Sequence, residues 1–212
     1  MTKLRPMSSL DHLVLATPDL AATVKEVGRL TGTQPVPGGV HQGLGTRNFL
    51  LGLGDGAYLE IIGPDREQPD PGRPRPFGID NLVDARLVTW AVRVEDIDDA
   101  VAASRESGYD PGEPWDMTRT TADGRTLNWR LTLDREGRHR GPVPFLIDWG
   151  LTPHPADELP VVPLVGLEAV HPHPERVGPH IDAIGAKLPM KAGNRGALAA
   201  TLFGESGLVV LI

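Results

Sequence analysis

Two stretches of this chain, TRNFLLGL at residues 46–53 and TLNWRLTL at residues 126–133, carry threonine, asparagine and a final leucine at identical spacing. Thr46 aligns with Thr126, Asn48 with Asn128 and Leu53 with Leu133. Each stretch holds the same place in a longer pattern, and an internal repeat restricts the architectures open to a chain before any single residue does. Residues 10–17, LDHLVLAT, are apolar on both faces and read as a buried strand. TPDLAATVKEVGRLTG then reads as a helix, with Thr17 as N-cap, Pro18 in the first turn and Gly32 as the stop. Leu20, Val24, Val27 and Leu30 form its apolar stripe. The glycine-rich GGVHQGLG leads into TRNFLLGL, a GDG turn and AYLEIIG.

The pattern restarts at LVTWAVRV (87–94). EDIDDAVAASRESG is the second helix, GRTLNWRLTL and VPFLIDWG are the later strands, and a charged turn separates them. Both units close with an aromatic, aliphatics, a carboxylate and a glycine, YLEIIG and FLIDWG. A shorter version begins near VGLEAV (165–170), with a helix stripe of Val177, Ile181, Ile184 and Leu188 and a terminal hairpin, ALAATLFGESGLVVLI. Proline-rich connectors separate the units, and the first, GPDREQPDPGRPRPFG, is long enough to cover a site mouth. The chain thus divides into an N-terminal tail (1–9), a double domain (10–150) and, after a linker (151–164), a C-terminal partial βαββ module (165–212). Within the double domain, module one is 10–63, the linker 64–86 and module two 87–150. The class is α+β. A strand, a crossover helix and a small meander leave one sheet face bare, so two copies side by side curl into a shared concave surface where a ligand sits.

Apolar residues make up 40% of the chain, enough for a packed core. The net charge is −7 and no basic stripe is present, which argues against a nucleic-acid partner. With no cysteine, disulfides, thiolate metal sites and thiol nucleophiles are excluded. No run approaches 18 apolar residues and MTKLRPMSSLDHL has no signal-peptide core, so a cytoplasmic protein without a membrane partner is expected. The terminal GLVVLI is an apolar edge strand, expected either to bury itself on the main sheet or to pair in a homodimer.

Glu60 lies between Leu59 and Ile61, and a buried carboxylate needs a cation, a metal or a proton. His12 sits in the first strand at the matching end of the same module. His41 has no counterpart in the aligned second module, so it is expected to contact substrate or act as a general base. Thr46 and Asn48 are read either as turn and strand anchors or as substrate contacts beside it, with Gly38 and Gly39 allowing unusual backbone angles. Of the tryptophans, Trp90 and Trp149 are expected to pack in the core, whereas Trp115 and Trp129 suit a pocket wall equally well.

DHLVLATPDL, GGVHQGLGTRNFLL and YLEIIG together resemble the glyoxalase-like branch of the vicinal oxygen chelate superfamily, which includes glyoxalase I, extradiol dioxygenases and bleomycin-resistance proteins. The resemblance covers residues 10–63 well and 87–150 more loosely. It implies paired βαβββ modules in a curved mixed-sheet half-barrel around a divalent metal. By position it implies His12, Glu60 and Asp148 as metal ligands, with Thr89 where module two should carry its own first-strand ligand. Such a set suits Zn, Fe(II), Mn or Ni. The function implied is a metal-dependent enzyme acting on a small oxygen-rich metabolite, with His41 or Glu60 moving the proton. Lyase, isomerase, hydrolase and dioxygenase chemistry all remain open. The alternative is a metal-free small-molecule binding protein of the drug-sequestering kind.

Overall fold

The computed structural model describes residues 9–121, 124–133 and 141–212. All but Ser9 of the expected N-terminal tail, and most of the charged turn of module two, lie outside the described residues.

Module one runs β1 (Ser9–Ala16), α1 (Leu20–Thr31), β2 (Val36–His41), β3 (Thr46–Gly54) and β4 (Ala57–Pro64). Module two repeats it as β5 (Arg86–Arg93), α2 (Ile97–Glu106), β6 (Trp115–Thr121), β7 (Thr126–Leu131) and β8 (Phe145–Asp148). The first and last strands of each module pair in parallel, β1 with β4 and β5 with β8. The curved sheet goes beyond a half-barrel: β1 pairs with β5 and β2 with β6, so eight strands close in the order β1-β4-β3-β2-β6-β7-β8-β5. Closure leaves no free edge in this sheet.

The elements follow local chemistry. Helix α1 begins later than the sequence suggests: Asp19, rather than Thr17, caps it by accepting from the Ala22 N–H at 3.1 Å. Thr17 instead bonds Thr23 through its hydroxyl. Gly32 ends the helix in the left-handed region at φ 77°. Strand β1 is buried on two sides. On β1, Leu13 and Leu15 face the outer core with α1 and α2, and Val14 and Ala16 face the barrel interior. Burial on both faces explains why this strand reads as a continuous apolar run.

The identity alignment of the modules is out of phase with their structure. In β3 and β4, Leu50 pairs with Glu60; in β7 and β8, Leu131 pairs with Ile147. This register sets Thr46 against Leu127 and Asn48 against Trp129, one residue away from the Thr–Thr and Asn–Asn match. Thr46 and Asn48 are buried, whereas Thr126 and Asn128 are exposed. A slip of one residue moves every side chain of a strand to the other face.

The C-terminal segment forms a second, four-stranded sheet of β9 (Leu164–His171), β10 (Met190–Ala192), β11 (Ala197–Gly204) and β12 (Gly207–Leu211), with α3 (Pro174–Ala183) between its first two strands. Its order is β10-β9-β11-β12, so its first strand pairs with the second and third, unlike that of a barrel module. Leu198, Ala200, Leu202 and Leu211 from this sheet join the outer core. The Leu87 N–H donates to the Ile212 carbonyl at 2.9 Å, which ties the chain end to the barrel. The outer face of the hairpin stays open, with Phe203, Leu208 and Val210 more than half exposed. Among the described residues no helix is long and apolar enough to cross a membrane.

The second sheet approaches the end of α1 most closely at a glycine of β11. A Cβ on Gly204 would lie 2.9 Å from both the Cα and the carbonyl oxygen of Thr31, and backbone has little freedom to move away. The neighbouring Glu205 N–H donates to that same Thr31 carbonyl at 3.0 Å. Gly204→Ala is therefore expected to cost about 1–3 kcal/mol through overpacking. Urea unfolding measures it, and a change under about 0.5 kcal/mol would show that this contact does not set the docking.

Candidate functional site

A cavity of about 350 Å³ occupies the barrel interior, a size ordinary for small-molecule sites. Its polar groups come mostly from module one: His12, His41, Asn48, Tyr58 and Glu60. Arg119 comes from module two, and Arg73, Pro76 and Phe77 of the proline-rich connector complete part of the wall. Phe77 takes φ 61°, an uncommon backbone conformation for a bulky residue, and is buried against the barrel core.

His12 owes its environment to an irregularity in β1. Leu10 pairs with Val92 and His12 with Ala91, so Asp11 is the extra residue of a β-bulge. The bulge places the Asp11 carboxylate beside its own neighbour, with Oδ1 2.6 Å from His12 Nδ1. The other oxygen, Oδ2, accepts from Trp149 Nε1 at 3.0 Å and from His154 Nε2 at 2.9 Å. His154 Nδ1 accepts the Ala156 N–H, so its proton resides on Nε2 and faces Asp11. Burial alone would raise the Asp11 pKa; hydrogen bonds from His12 and His154, together with their charges, outweigh it and hold the carboxyl well below the usual range. A carboxylate only accepts, so neutral His12 carries its proton on Nδ1 and presents a lone pair at Nε2. That atom lies 3.9 Å from Glu60 Oε2. Tyr58 stacks on the His12 ring at a centroid distance of 4.8 Å.

Glu60 sits between two imidazoles. His41 Nε2 is 3.9 Å from its Oε1, and the Asn48 amide donates to that oxygen at 2.5 Å. The Asn48 orientation is fixed by its carbonyl, which accepts from the Gly39 N–H at 2.9 Å and from Arg119 Nη1 at 3.1 Å. Arg119 is 6% exposed, and its Nε is buried without a hydrogen-bond partner among the described residues. Burial lowers the His41 pKa below the ordinary imidazole range; Glu60 opposes the shift and Arg119 adds to it. His41 is therefore neutral near pH 7. Thr46 does not line the cavity; its hydroxyl lies 3.1 Å from His41 Nδ1 and orients the ring from behind. Gly38 and Gly39 lie in β2 and contribute space rather than unusual angles. A Cβ on Gly38 would collide with Asn48 Oδ1, and one on Gly39 would meet Arg119 Cδ at 2.7 Å.

Asp148 is not part of the cavity. Its carboxylate faces outward, accepting the Ile97 N–H at the start of α2 and the Gly150 N–H. The register explains this. Tyr58 pairs with His12 two residues before Glu60, and Phe145 pairs with Ala91 two residues before Ile147. Ile147 thus takes the position of Glu60, and Ala91, not Thr89, takes that of His12. His41 pairs with Thr46 as Arg119 pairs with Leu127, so the structural counterpart of His41 is Arg119. The identity alignment had left His41 without one.

These substitutions bear on the divalent metal that the resemblance implies. Two of the four ligand positions hold alanine and isoleucine, which donate nothing. His12, Glu60 and His41 have suitable chemistry, but among the described residues no three His, Asp or Glu are grouped to hold an ion. The Asn48 amide already donates to Glu60, and Arg119 holds that amide in place through its carbonyl. The residues present do not fit the four-ligand arrangement.

A family model described as a glyoxalase-like domain matches residues 10–185. Among solved structures, a hypothetical protein from Staphylococcus aureus superposes with a TM-score of 0.67 at 12% identity, over 95% of this chain and 97% of that one. Methylmalonyl-CoA epimerase from Mycobacterium tuberculosis gives a TM-score of 0.44 at 19% identity, over 71% of this chain and 93% of that one. A single-residue variant of the Streptomyces coelicolor epimerase, in complex with 2-nitronate-propionyl-CoA, gives 0.43 at 23% identity, over 71% and 100%. No curated protein matches by sequence.

Proposed function

The chain belongs to the glyoxalase-like domain family, and from its cavity we propose that it is an enzyme acting on a small oxygen-rich anion by proton transfer next to a carbonyl. One observation carries this reading: a buried bulge carboxylate, Asp11, holds His12 in a single tautomer with Nε2 directed at Glu60. A protein that only sequesters its ligand needs shape and apolar surface, and gains nothing from a fixed proton acceptor. Arg119 supplies the complementary charge, with an unused buried donor on a cavity-lining side chain.

In this scheme Arg119 binds the carbonyl or carboxylate oxygen. His12 Nε2 takes the proton from the adjacent carbon, and the C–H electron pair passes into an enolate whose oxygen Arg119 stabilises. Asp11 favours the resulting imidazolium. Return of the proton to either face, or loss of a neighbouring leaving group, then separates isomerase from lyase outcomes. His41, neutral and oriented by Thr46, is the second group able to move a proton.

The test is carbon–hydrogen exchange. Oxygen-rich carboxylates that raise the melting temperature are incubated with the protein in deuterated water and followed by NMR. Loss of the proton signal next to the carbonyl is expected, and its absence for every stabilising compound would defeat the proposal. Titration of the purified protein with Zn, Mn, Ni and Fe(II) checks the other half of the scheme. No stoichiometric uptake is expected, because two ligand positions are apolar. Tight one-to-one binding abolished by Glu60→Gln would restore the metal-dependent reading.

A further inference from the structure

The cavity wall is asymmetric although the barrel is built from a repeat. The register sets His12 against Ala91, Asn48 against Trp129, Tyr58 against Phe145 and Glu60 against Ile147. At each of these four positions module one supplies a polar side chain and module two an apolar one. Arg119, opposite His41, is the exception. The chemistry is concentrated on one wall; apart from Arg119, Asp116 and Thr118 on β6, the other is apolar and rich in indole.

We infer that the substrate is amphipathic, with a carboxylate or enolate head held by Arg119 and an aromatic body against the module-two wall. The inference rests on the proposed reading of the polar wall. Three of the four tryptophans, Trp115, Trp129 and Trp149, line the cavity, so Trp149 joins the two for which a pocket role was open. The polar edges of two are used inside the protein: Trp115 Nε1 donates to the Leu133 carbonyl at 2.6 Å and Trp149 Nε1 to Asp11. These rings therefore offer carbon to a ligand. Trp129 and Trp149 pack with their centroids 5.2 Å apart, and Phe145 meets the His12 ring edge-on at 5.5 Å. Such an arrangement accepts a further ring by offset or edge contact. A dry cavity of roughly 150 Å³ already admits benzene. At about 350 Å³ this one has room for a ring and an anionic head. A short polyhydroxylated acid would leave the indole wall without a partner.

The experiment measures affinity along the series acetate, phenylacetate and 2-naphthylacetate, with 2-naphthalenemethanol as the uncharged control. Binding is followed by calorimetry and by the emission of the cavity tryptophans. Affinity is expected to rise at least about tenfold from acetate to phenylacetate, since a ring removes much apolar surface from water. Arg119→Met should abolish the preference for the acid over the alcohol. Trp129→Ala should weaken the aryl acids and leave acetate unchanged. Equal affinity for acetate and both aryl acids in the wild-type protein, a result that depends on no variant, would overturn the inference. The two readings fail separately. An aryl-acid series that binds as expected, in a protein exchanging no carbon-bound proton, removes the enzyme and leaves the subsite. Exchange on short hydroxylated acids with a flat series removes the subsite and leaves the enzyme.

Discussion

His12→Gln is expected to lower turnover by about 10²- to 10⁴-fold, the range typical for loss of a positioned general base. Glutamine approximates the length of the imidazole and keeps a polar group in the cavity, but it accepts no proton at neutral pH. Ligand affinity should change little, because Arg119 and the apolar wall are untouched. The loss should therefore fall on kcat rather than on binding, the pattern of an interaction made only in the transition state. The reasons for choosing His12 over His41 are geometric. His12 Nδ1 is held by a buried carboxylate at 2.6 Å, which fixes the tautomer and favours the imidazolium formed during reaction. The Nδ1 partner of His41 is a threonine hydroxyl at 3.1 Å, a neutral group, and Glu60 lies at 3.9 Å from the Nε2 of both rings and so does not distinguish them. Deuterium exchange and ligand titration on the same variant separate the two effects. A variant that keeps more than a tenth of the wild-type exchange rate would exclude His12 as the base.

Much of the frame was legible because it depends on local patterns. Apolar runs bounded by glycine turns marked the strands, and helical spacing marked α1 and α2. A glutamate among leucine and isoleucine marked Glu60 as a buried charge needing compensation. The failures have a common cause, which is that facing direction depends on register. Thr46 and Thr126 match by identity, yet the pairing of β7 with β8 places Leu127, Trp129 and Leu131 inward and turns Asn128 to solvent. The same slip made Asp148 look like a cavity carboxylate when Ile147 occupies that place. Arg119 was invisible for a related reason. It stands in MTRTT, a short polar strand with no apolar alternation to show which side faces in, and its importance comes from Gly38 and Gly39 on the adjacent strand. Those glycines were visible, but their role as clearance for a crossing side chain needs the β2–β6 pairing that closes the barrel. Asp11 stood next to His12 throughout, and strand alternation would send it to the opposite face. Only a bulge brings both to one network, and nothing in LDHLVLAT announces a bulge.

Asp11→Asn should destabilise the protein by about 3 kcal/mol, as expected when one member of a buried charged network is removed. The carboxylate is fully buried and takes three donors, from His12, Trp149 and His154. Asparagine has nearly the same volume but a single acceptor oxygen, and its amide N–H groups would face at least one of those donors. The penalty is therefore that of unsatisfied buried polar groups rather than of a cavity. The loss should depend on pH in a definite direction. A carboxyl whose folded pKa is depressed binds fewer protons in the folded than in the unfolded state below neutral pH, so stability rises with pH across that window. The unfolded value is about 3.9. The wild-type contribution is thus complete above about pH 5 and falls as the pH drops through 4 and below. Asparagine does not titrate, so the stability gap between the two proteins should be widest near pH 7 and visibly narrower at pH 3. Urea unfolding at pH 3, 5 and 7 measures it. A gap that does not change with pH would mean that folding leaves the Asp11 pKa unshifted, and a gap that narrows from pH 3 to pH 7 would mean that Asp11 is protonated in the folded protein. The second result would remove the fixed tautomer of His12 on which the proposed chemistry depends.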